Sequence, residues 1–297
     1  MEGIIIEVKP EIYIIEIEGK AISAGVRGNV KKKDRLLVGD KVLVKKEKDM
    51  YIIEKVFARK NSMIRPPIAN IDKMFCVVSK NYPVPDLNVL DKQILACEKN
   101  DILPIICINK IDEKESNENY EYIKKVYGDI GYKIIEISAK EGIGIQSILE
   151  EVKGSITAFS GLSGVGKSSI TRLLTGEEEE NIEVGNLMNK INRGKHTTKY
   201  VKLYYINGGY IADTPGFSSL ELVDGIEKDD LKHYYREFSK YICKYQDCNH
   251  VTENIAECSI KKAVENGEID SKRYERFAKL YKELEIKDKM KYKNKRR

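Results

Sequence analysis

Gly161-Leu162-Ser163-Gly164-Val165-Gly166-Lys167-Ser168 fits GxxxxGK[ST], and it stands between a strand-like run, Ser155 to Phe159, and a helix-like run, Ser169 to Thr175. In that context the stretch reads as a phosphate cradle. Glycines let successive backbone N–H groups turn inward on the phosphates, Lys167 reaches the β and γ groups, and Ser168 supplies a hydroxyl to Mg²⁺. Gly161 through Ser169 is therefore the expected nucleotide loop. Alone, it leaves ATP and GTP open.

Three further motifs narrow the choice. Upstream, Asn109-Lys110-Ile111-Asp112 reads as NKxD, in which Asp112 accepts from the N1–H and exocyclic amino group of guanine. Adenine offers neither, and a buried charged acceptor left unmatched costs on the order of a few kcal/mol. Ser138-Ala139-Lys140 follows the next strand-like run and supplies a second guanine-side loop. Downstream, Asp213-Thr214-Pro215-Gly216 fits DxxG: Asp213 is expected to hold Mg²⁺ through a water, and the Gly216 N–H to meet the γ-phosphate and be released on hydrolysis. Between them lies the polar loop Arg193-Gly194-Lys195-His196-Thr197-Thr198, suited to be the first switch, with Thr198 favoured over Thr197 to complete the metal shell. Each short motif has a bland reading, such as a strand ending in a polar turn. Their coincidence in one chain does not.

The order is unusual. The guanine-side motifs come before the phosphate loop instead of after DxxG, which is a circular permutation. Cutting one loop and joining the old ends leaves the ligand edge of a parallel sheet intact. The DxxG segment then leads directly into the C-terminal region, so nucleotide state could move that region.

The pattern on either side supports an α/β chain in three parts. Over residues 1–66, short β runs (Gly3 to Val8, Ile12 to Glu18, Ala21 to Arg27, Lys41 to Val44, Tyr51 to Ala58) are separated by turn residues and fit an OB-type barrel. Arg27, Lys31, Lys32 and Lys33 could track a phosphate backbone there, or form the wet edge of a purely structural barrel. Over residues 67–222, β runs alternate with helical ones, including Asn88 to Asn100, Asn117 to Tyr127 and Ile143 to Lys153, the sign of a mostly parallel sheet. Residues 223–297 read as helical and charged, with Lys272 to Lys289 giving one or two amphipathic turns before a frayed basic tail.

Of the 297 residues 41% are hydrophobic and 33% charged, enough apolar content for a real core. Lys and Arg (52) exceed Asp and Glu (47), and the excess gathers in clusters that suit a polyanion or are simply solvated. No run of about 18 apolar residues occurs and the start does not read as a secretory signal, so a cytoplasmic setting without a membrane span is expected. In that compartment six cysteines argue against a disulfide framework. Cys76, Cys97 and Cys107 sit in apolar text and read as small buried hydrophobes. Cys243, Cys248, His250 and Cys258 instead supply three thiolates and an imidazole, the set for one closed, structural Zn²⁺.

The motif order, the barrel before it and the Cys/His cluster after it resemble the circularly permuted ribosome small-subunit-dependent GTPase A (RsgA) family over nearly the whole chain. The resemblance implies a GTPase acting in late maturation of the small (30S) ribosomal subunit and stimulated by it, an OB barrel on rRNA, and a zinc domain touching the particle. It also carries a catalytic role onto His196, in the RG[RK]HTT stretch, because Phe217 follows Gly216 and an apolar side chain cannot orient water. Lys195 stands where the family commonly has Arg, Lys199 where a third threonine is common, and the gap before Cys258 is longer than usual. Two other readings remain: an RNA-binding module that keeps GTP as a structural ligand, and a GTPase serving another RNA. A ribosome-docking role favours a monomer.

Overall fold

A computed structural model describes residues 1–10, 12–27, 35–48, 50–64, 66–176, 201–213 and 225–295. Five strands open the chain: β1 (Glu2–Lys9), β2 (Ile12–Ile17), β3 (Lys20–Val26), β4 (Lys41–Glu47) and β5 (Met50–Val56). Their alternation puts Ile5, Ile15, Ala24, Val42, Val44 and Ile53 on one face, where with Leu36 they form a core, while the intervening positions, apolar Ile4, Ile6, Ile14, Leu43 and Ile52 among them, are only half-buried. β1 pairs with β2, β2 with β3, β3 with β5 and β5 with β4. Pairing of Glu2–Ile4 with Lys41–Leu43 then closes the barrel. Wholly buried Asp40 fixes the entry to β4. It accepts from Leu37 N–H at 2.8 Å and from Arg59 Nε at 2.7 Å and a guanidinium NH₂ at 2.9 Å.

After a short ribbon, β6 (Ser62–Met63) with β7 (Ile68–Ala69), the α/β part begins: β8 (Lys73–Ser79), α1 (Leu87–Lys99), β9 (Leu103–Asn109), α2 (Glu118–Tyr122), a π-helical turn (Ile123–Tyr127), α3 (Gly128–Ile130), β10 (Lys133–Glu136), α4 (Ile145–Val152), β11 (Ile156–Gly161), α5 (Lys167–Thr175), β12 (Lys202–Ile206) and β13 (Gly209–Asp213). In space the strands run β10-β9-β8-β11-β13-β12, all parallel except β12. β8, β9 and β11 are buried along nearly their whole length, as expected for parallel strands covered on both faces. Phe75 and Phe159 stack at 5.1 Å in a core shared with Val77, Ile105, Ile148 and Ile170. The phosphate-loop strand β11 thus lies between β13, which ends at Asp213, and β8, and the permutation leaves NKxD, SAK, the phosphate loop and Asp213 at the carboxyl ends of the strands.

The sheet and barrel share a strand. A bulge between Ile5 and Glu7 accompanies a change of partner on one edge of β1, whose first half pairs with β4 and whose Glu7 pairs with Lys202 of β12. The Tyr210 hydroxyl on β13 also donates to Glu16 of β2.

One compact unit comprises residues 1–121 and 133–221, and a second comprises residues 122–132 and 222–297. The second unit has two 3₁₀ turns, Leu231–Tyr234 and Arg236–Lys240, then α6 (Ser259–Glu265) and α7 (Ser271–Lys295). Its core gathers Tyr235, Phe238 and Phe277, with ring centroids 4.9–5.1 Å apart. α7 is a single 25-residue helix where the sequence suggested one or two turns. Buried Phe277, Leu280, Tyr281 and Leu284 recur at i, i+3, i+4, i+7 and anchor its first half, and a Lys289–Glu285 pair supports the second.

Candidate nucleotide site and metal centre

β11 ends at Gly161, and the chain turns through residues 162–166 into α5, so the first N–H groups of a nine-residue helix face the loop. Gly166, its N-cap, has φ +97, and a Cβ there would stand 2.2 Å from Asn109 Nδ2. Left-handed backbone and lack of space both require glycine. Lys167 Nζ donates to Gly161 O at 2.8 Å and Leu162 O at 2.7 Å, and partial burial pushes its pKa below the ordinary lysine value. Ser168 and Ser169 are exposed at the start of the helix, beside exposed Ser163 and Gly164 and buried Val165.

Asn109, the buried last residue of β9, joins three loops. Its Nδ2 donates to Val165 O in the phosphate loop at 2.9 Å, while its Oδ1 accepts from Lys110 N–H at 2.8 Å and Ala139 N–H at 3.0 Å. Ser138 Oγ donates to Asp112 Oδ1 at 2.6 Å and accepts from Glu141 N–H at 3.1 Å. That hydroxyl is the main cause holding the Asp112 carboxyl below the usual range, helped by nearby Lys140 and Lys110 against some desolvation. Asp112 is exposed, its carboxylate fixed in direction and available to a base. The four groups NKxD, SAK, phosphate loop and helix N-terminus therefore converge on one edge of the sheet.

The loop after β8 was not expected to take part. Lys110 Nζ donates to Tyr82 O at 2.7 Å, and Lys80 Nζ donates to Glu113 O at 2.6 Å, steadying the chain after NKxD. A side chain on Gly164 would meet Pro83 at 3.8 Å. Tyr82 acts through its backbone carbonyl, which leaves no mark in a sequence. Asp213 is the last residue of β13, paired with Lys202. His196, Thr198 and Gly216 lie outside the described residues.

In the second unit the ligand atoms of Cys243, Cys248, His250 and Cys258 all lie within 4.8 Å of one another. His250 Nδ1 is 3.5, 3.2 and 3.5 Å from the three Sγ atoms in chain order, and Cys243 Sγ is 3.9 Å from Cys258 Sγ. A tetrahedron with Zn–S of about 2.3 Å and Zn–N of about 2.0 Å has edges of about 3.8 Å (S to S) and 3.5 Å (S to N). The donor set and spacing fit that ion. Burial drives the His250 imidazole down to about 4, which keeps it neutral with a lone pair to give. Burial would raise Cys243, but the N–H groups of Ile260 and Ser259 override it and hold the thiol low; burial raises Cys248 and Cys258. The long gap before Cys258 is braced: Asn249 Oδ1 accepts from Val251 and Thr252 N–H, and Lys261 Nζ donates to Val251 O and Glu253 O. Cys76, Cys97 and Cys107 are buried. Among the described residues no helix is long and apolar enough to cross a membrane.

The family model for the RsgA GTPase matches residues 56–223. The small ribosomal subunit biogenesis GTPase RsgA of Clostridium beijerinckii is 39% identical over 295 residues, 98% of this chain and 100% of that protein. The protein of the same name from Caldanaerobacter subterraneus subsp. tengcongensis is 38% identical over 300 residues, 99% of each. Among solved structures, YjeQ from Thermotoga maritima superposes with a TM-score of 0.81 at 35% identity, covering 95% of this chain and 98% of that one. YloQ, described as a circularly permuted GTPase, gives 0.79 at 31%, covering 96% and 95%.

Proposed function

This chain belongs to the RsgA GTPase family, and from that membership we propose that it acts in late maturation of the small ribosomal subunit, hydrolysing GTP to GDP and phosphate when it meets that particle. The observation that carries the guanine-specific reading is the Asn109 carboxamide, which locks NKxD, SAK and the phosphate loop into one site. Asp112, aimed by Ser138, accepts from the guanine edge; Asn109, Lys110, Ala139 and Lys140 shape its surroundings. Residues Gly161 to Ser169 cradle the phosphates through backbone N–H groups, and Lys167 exchanges its carbonyl partners for phosphate oxygens.

Ser168 and Thr198 would hold Mg²⁺, with Asp213 behind a water; the bound ion neutralises charge on the β and γ groups. Gly216 reads the γ-phosphate, and His196 orients the attacking water in place of the side chain that Phe217 cannot supply. Zn²⁺ in the Cys243, Cys248, His250 and Cys258 cage is structural, since all four positions are filled by protein. The working division is an rRNA-binding barrel over 1–66, the GTPase over 67–222 and the zinc-binding part over 223–297, in a cytoplasmic monomer.

The test is GTP turnover with Mg²⁺, alone and with saturating purified small subunits, large subunits or bare rRNA. Stimulation specific to small subunits, abolished by His196→Ala, is expected. Tight GTP binding with the same slow turnover throughout would instead make the protein an RNA-binding module with GTP as a structural ligand. Stimulation by a different RNA would move it to another pathway.

A further inference from the structure

The chain between the two guanine-side loops is built into the second unit. Asp112 is followed after six residues by α2, and Glu136, the end of β10, precedes Ser138 by two. Between them, residues 122–132 belong to the same compact unit as the metal cage. They hold three tyrosines spaced five apart, Tyr122, Tyr127 and Tyr132. In an α-helix, residues five apart point about 140° away from each other, at about 100° per residue. The π-helical turn Ile123–Tyr127 widens the coil there and brings the rings of Tyr122 and Tyr127 to 6.4 Å. Tyr132 lies 6.2 Å from Tyr127.

Each ring meets an arginine from the rest of the unit. Arg276 donates to the hydroxyls of Tyr122 at 3.2 Å and Tyr127 at 3.3 Å, and its guanidinium lies 5.4 Å from the Tyr122 ring. Arg273, 1% exposed, lies 4.9 Å from the Tyr127 ring and 4.8 Å from that of Tyr235, and its Nε donates to Glu237 at 2.6 Å. Arg236 sits 4.5 Å over Tyr132. The Tyr122 hydroxyl donates to Asp270, at the start of α7. Glu237 and Arg236 come from the 3₁₀ turn whose Phe238 packs edge-on against the candidate zinc ligand His250 at 5.6 Å.

α2 ends at Tyr122 with helical backbone and the π turn follows at Ile123, so the segment is helical from 118 to 130. At its start, Asn117 N–H donates to Lys80 O, and Lys80 reaches the carbonyls of Ile111 and Glu113 beside Asp112. At its end, Tyr132 N–H donates to Tyr127 O just before β10 carries the chain to Ser138. The same stretch of chain thus leads from one loop that aims Asp112 to the other.

We propose that Arg273 and Arg276 are positioning residues for the guanine site, acting through Tyr122 and Tyr127, so that an intact metal-bound second unit slows release of guanine nucleotide. This rests on the reading above that NKxD and SAK hold guanine. Where slower release means tighter equilibrium binding, linkage requires nucleotide to raise the second unit's affinity for its metal by the same factor.

The test measures dissociation of a fluorescent GDP analogue from full-length protein, its Arg276→Gln variant and its Tyr122→Phe variant, with zinc content determined on each sample. Arg276→Gln is expected to speed release at least fivefold with zinc retained, and Tyr122→Phe, which removes one hydroxyl, to move the rate the same way by less. In the parent, saturating GDP should slow zinc loss to a chelator several-fold, an effect reduced in Arg276→Gln. Release within twofold of the parent in both variants, or zinc loss indifferent to GDP in the parent, overturns the proposal. Should Arg276→Gln lose its zinc, Tyr122→Phe and the parent's chelator experiment decide. A parent that does not bind GDP removes the guanine reading and this coupling together, whereas a parent that binds tightly without coupling removes only the latter.

Discussion

Asn109→Asp would test whether one amide donor holds the nucleotide loops together. The two side chains are nearly the same size, and the aspartate oxygen can still accept from Lys110 and Ala139 N–H. What changes is the contact to Val165 O, where a 2.9 Å hydrogen bond becomes two oxygens with no proton between them. A buried acceptor left without a donor costs about 1–3 kcal/mol. If that is realised on nucleotide binding, affinity falls about 5- to 150-fold at 1.4 kcal/mol per decade. GTP and GDP should suffer equally, because the bond touches neither terminal phosphate. Calorimetric titration of both nucleotides, with thermal unfolding of the nucleotide-free protein, reads the two parts separately. Repulsion from Val165 O raises the new carboxyl's pKa, and its protonated form restores a donor, so the deficit should shrink as pH is lowered. GDP affinity within twofold of the parent at neutral pH would refute the bridging role.

Asp40→Ala strips the partner from Arg59 and Leu37 N–H inside the barrel, and should cost about 3–5 kcal/mol in urea unfolding of the first unit; an unchanged midpoint would count against a structural role for the pair. Removing metal by chelation, or replacing ligand Cys258 by Ser, should release one equivalent of zinc and open residues 243–260 to protease while leaving the first unit intact; unchanged proteolysis would show a cage that needs no ion. Ser138→Ala takes away the principal cause of the low Asp112 pKa, so its carboxyl should titrate higher, nearer the ordinary aspartate range. The sign follows from a depressed folded-state pKa: the stability it lends is present above the unfolded value, disappears as pH falls through the folded one, and shrinks in the variant. Side-chain carbonyl NMR through an acid titration checks it, an unshifted midpoint being the adverse result.

Much of the site could be read directly because its chemistry is local. Gly161 to Ser168 must combine small residues, a lysine and a hydroxyl within one turn, and such a demand leaves a contiguous pattern. The barrel was legible for a similar reason, since its short β-branched runs, such as Ile4 to Ile6, Ile14 to Ile15 and Ile52 to Ile53, are each bounded by turn and charged residues. What escaped depends on residues distant in the chain or on backbone atoms. Tyr82 contributes a carbonyl, which any residue has. The tyrosines at 122, 127 and 132 follow neither a 3.6 nor a 2 period, and only the π turn puts the first two on one side. The second half of α7 is largely polar, so no apolar period marked in the sequence how far the helix runs.

The divided edge of β1 has a consequence for how freely these parts could be traded between proteins. A fragment beginning after Pro67 would keep β12 but lose Glu7, its neighbour, and a barrel fragment would carry the second half of β1 with its lateral hydrogen-bonding groups bare. Open strand borders of that kind recruit other strands indiscriminately. Each half, made separately, is expected to be prone to self-association, and mixing the halves should relieve it. In that respect the β1 edge resembles a shared wall rather than a hinge, and it ties the inheritance of the barrel to that of the enzyme behind it.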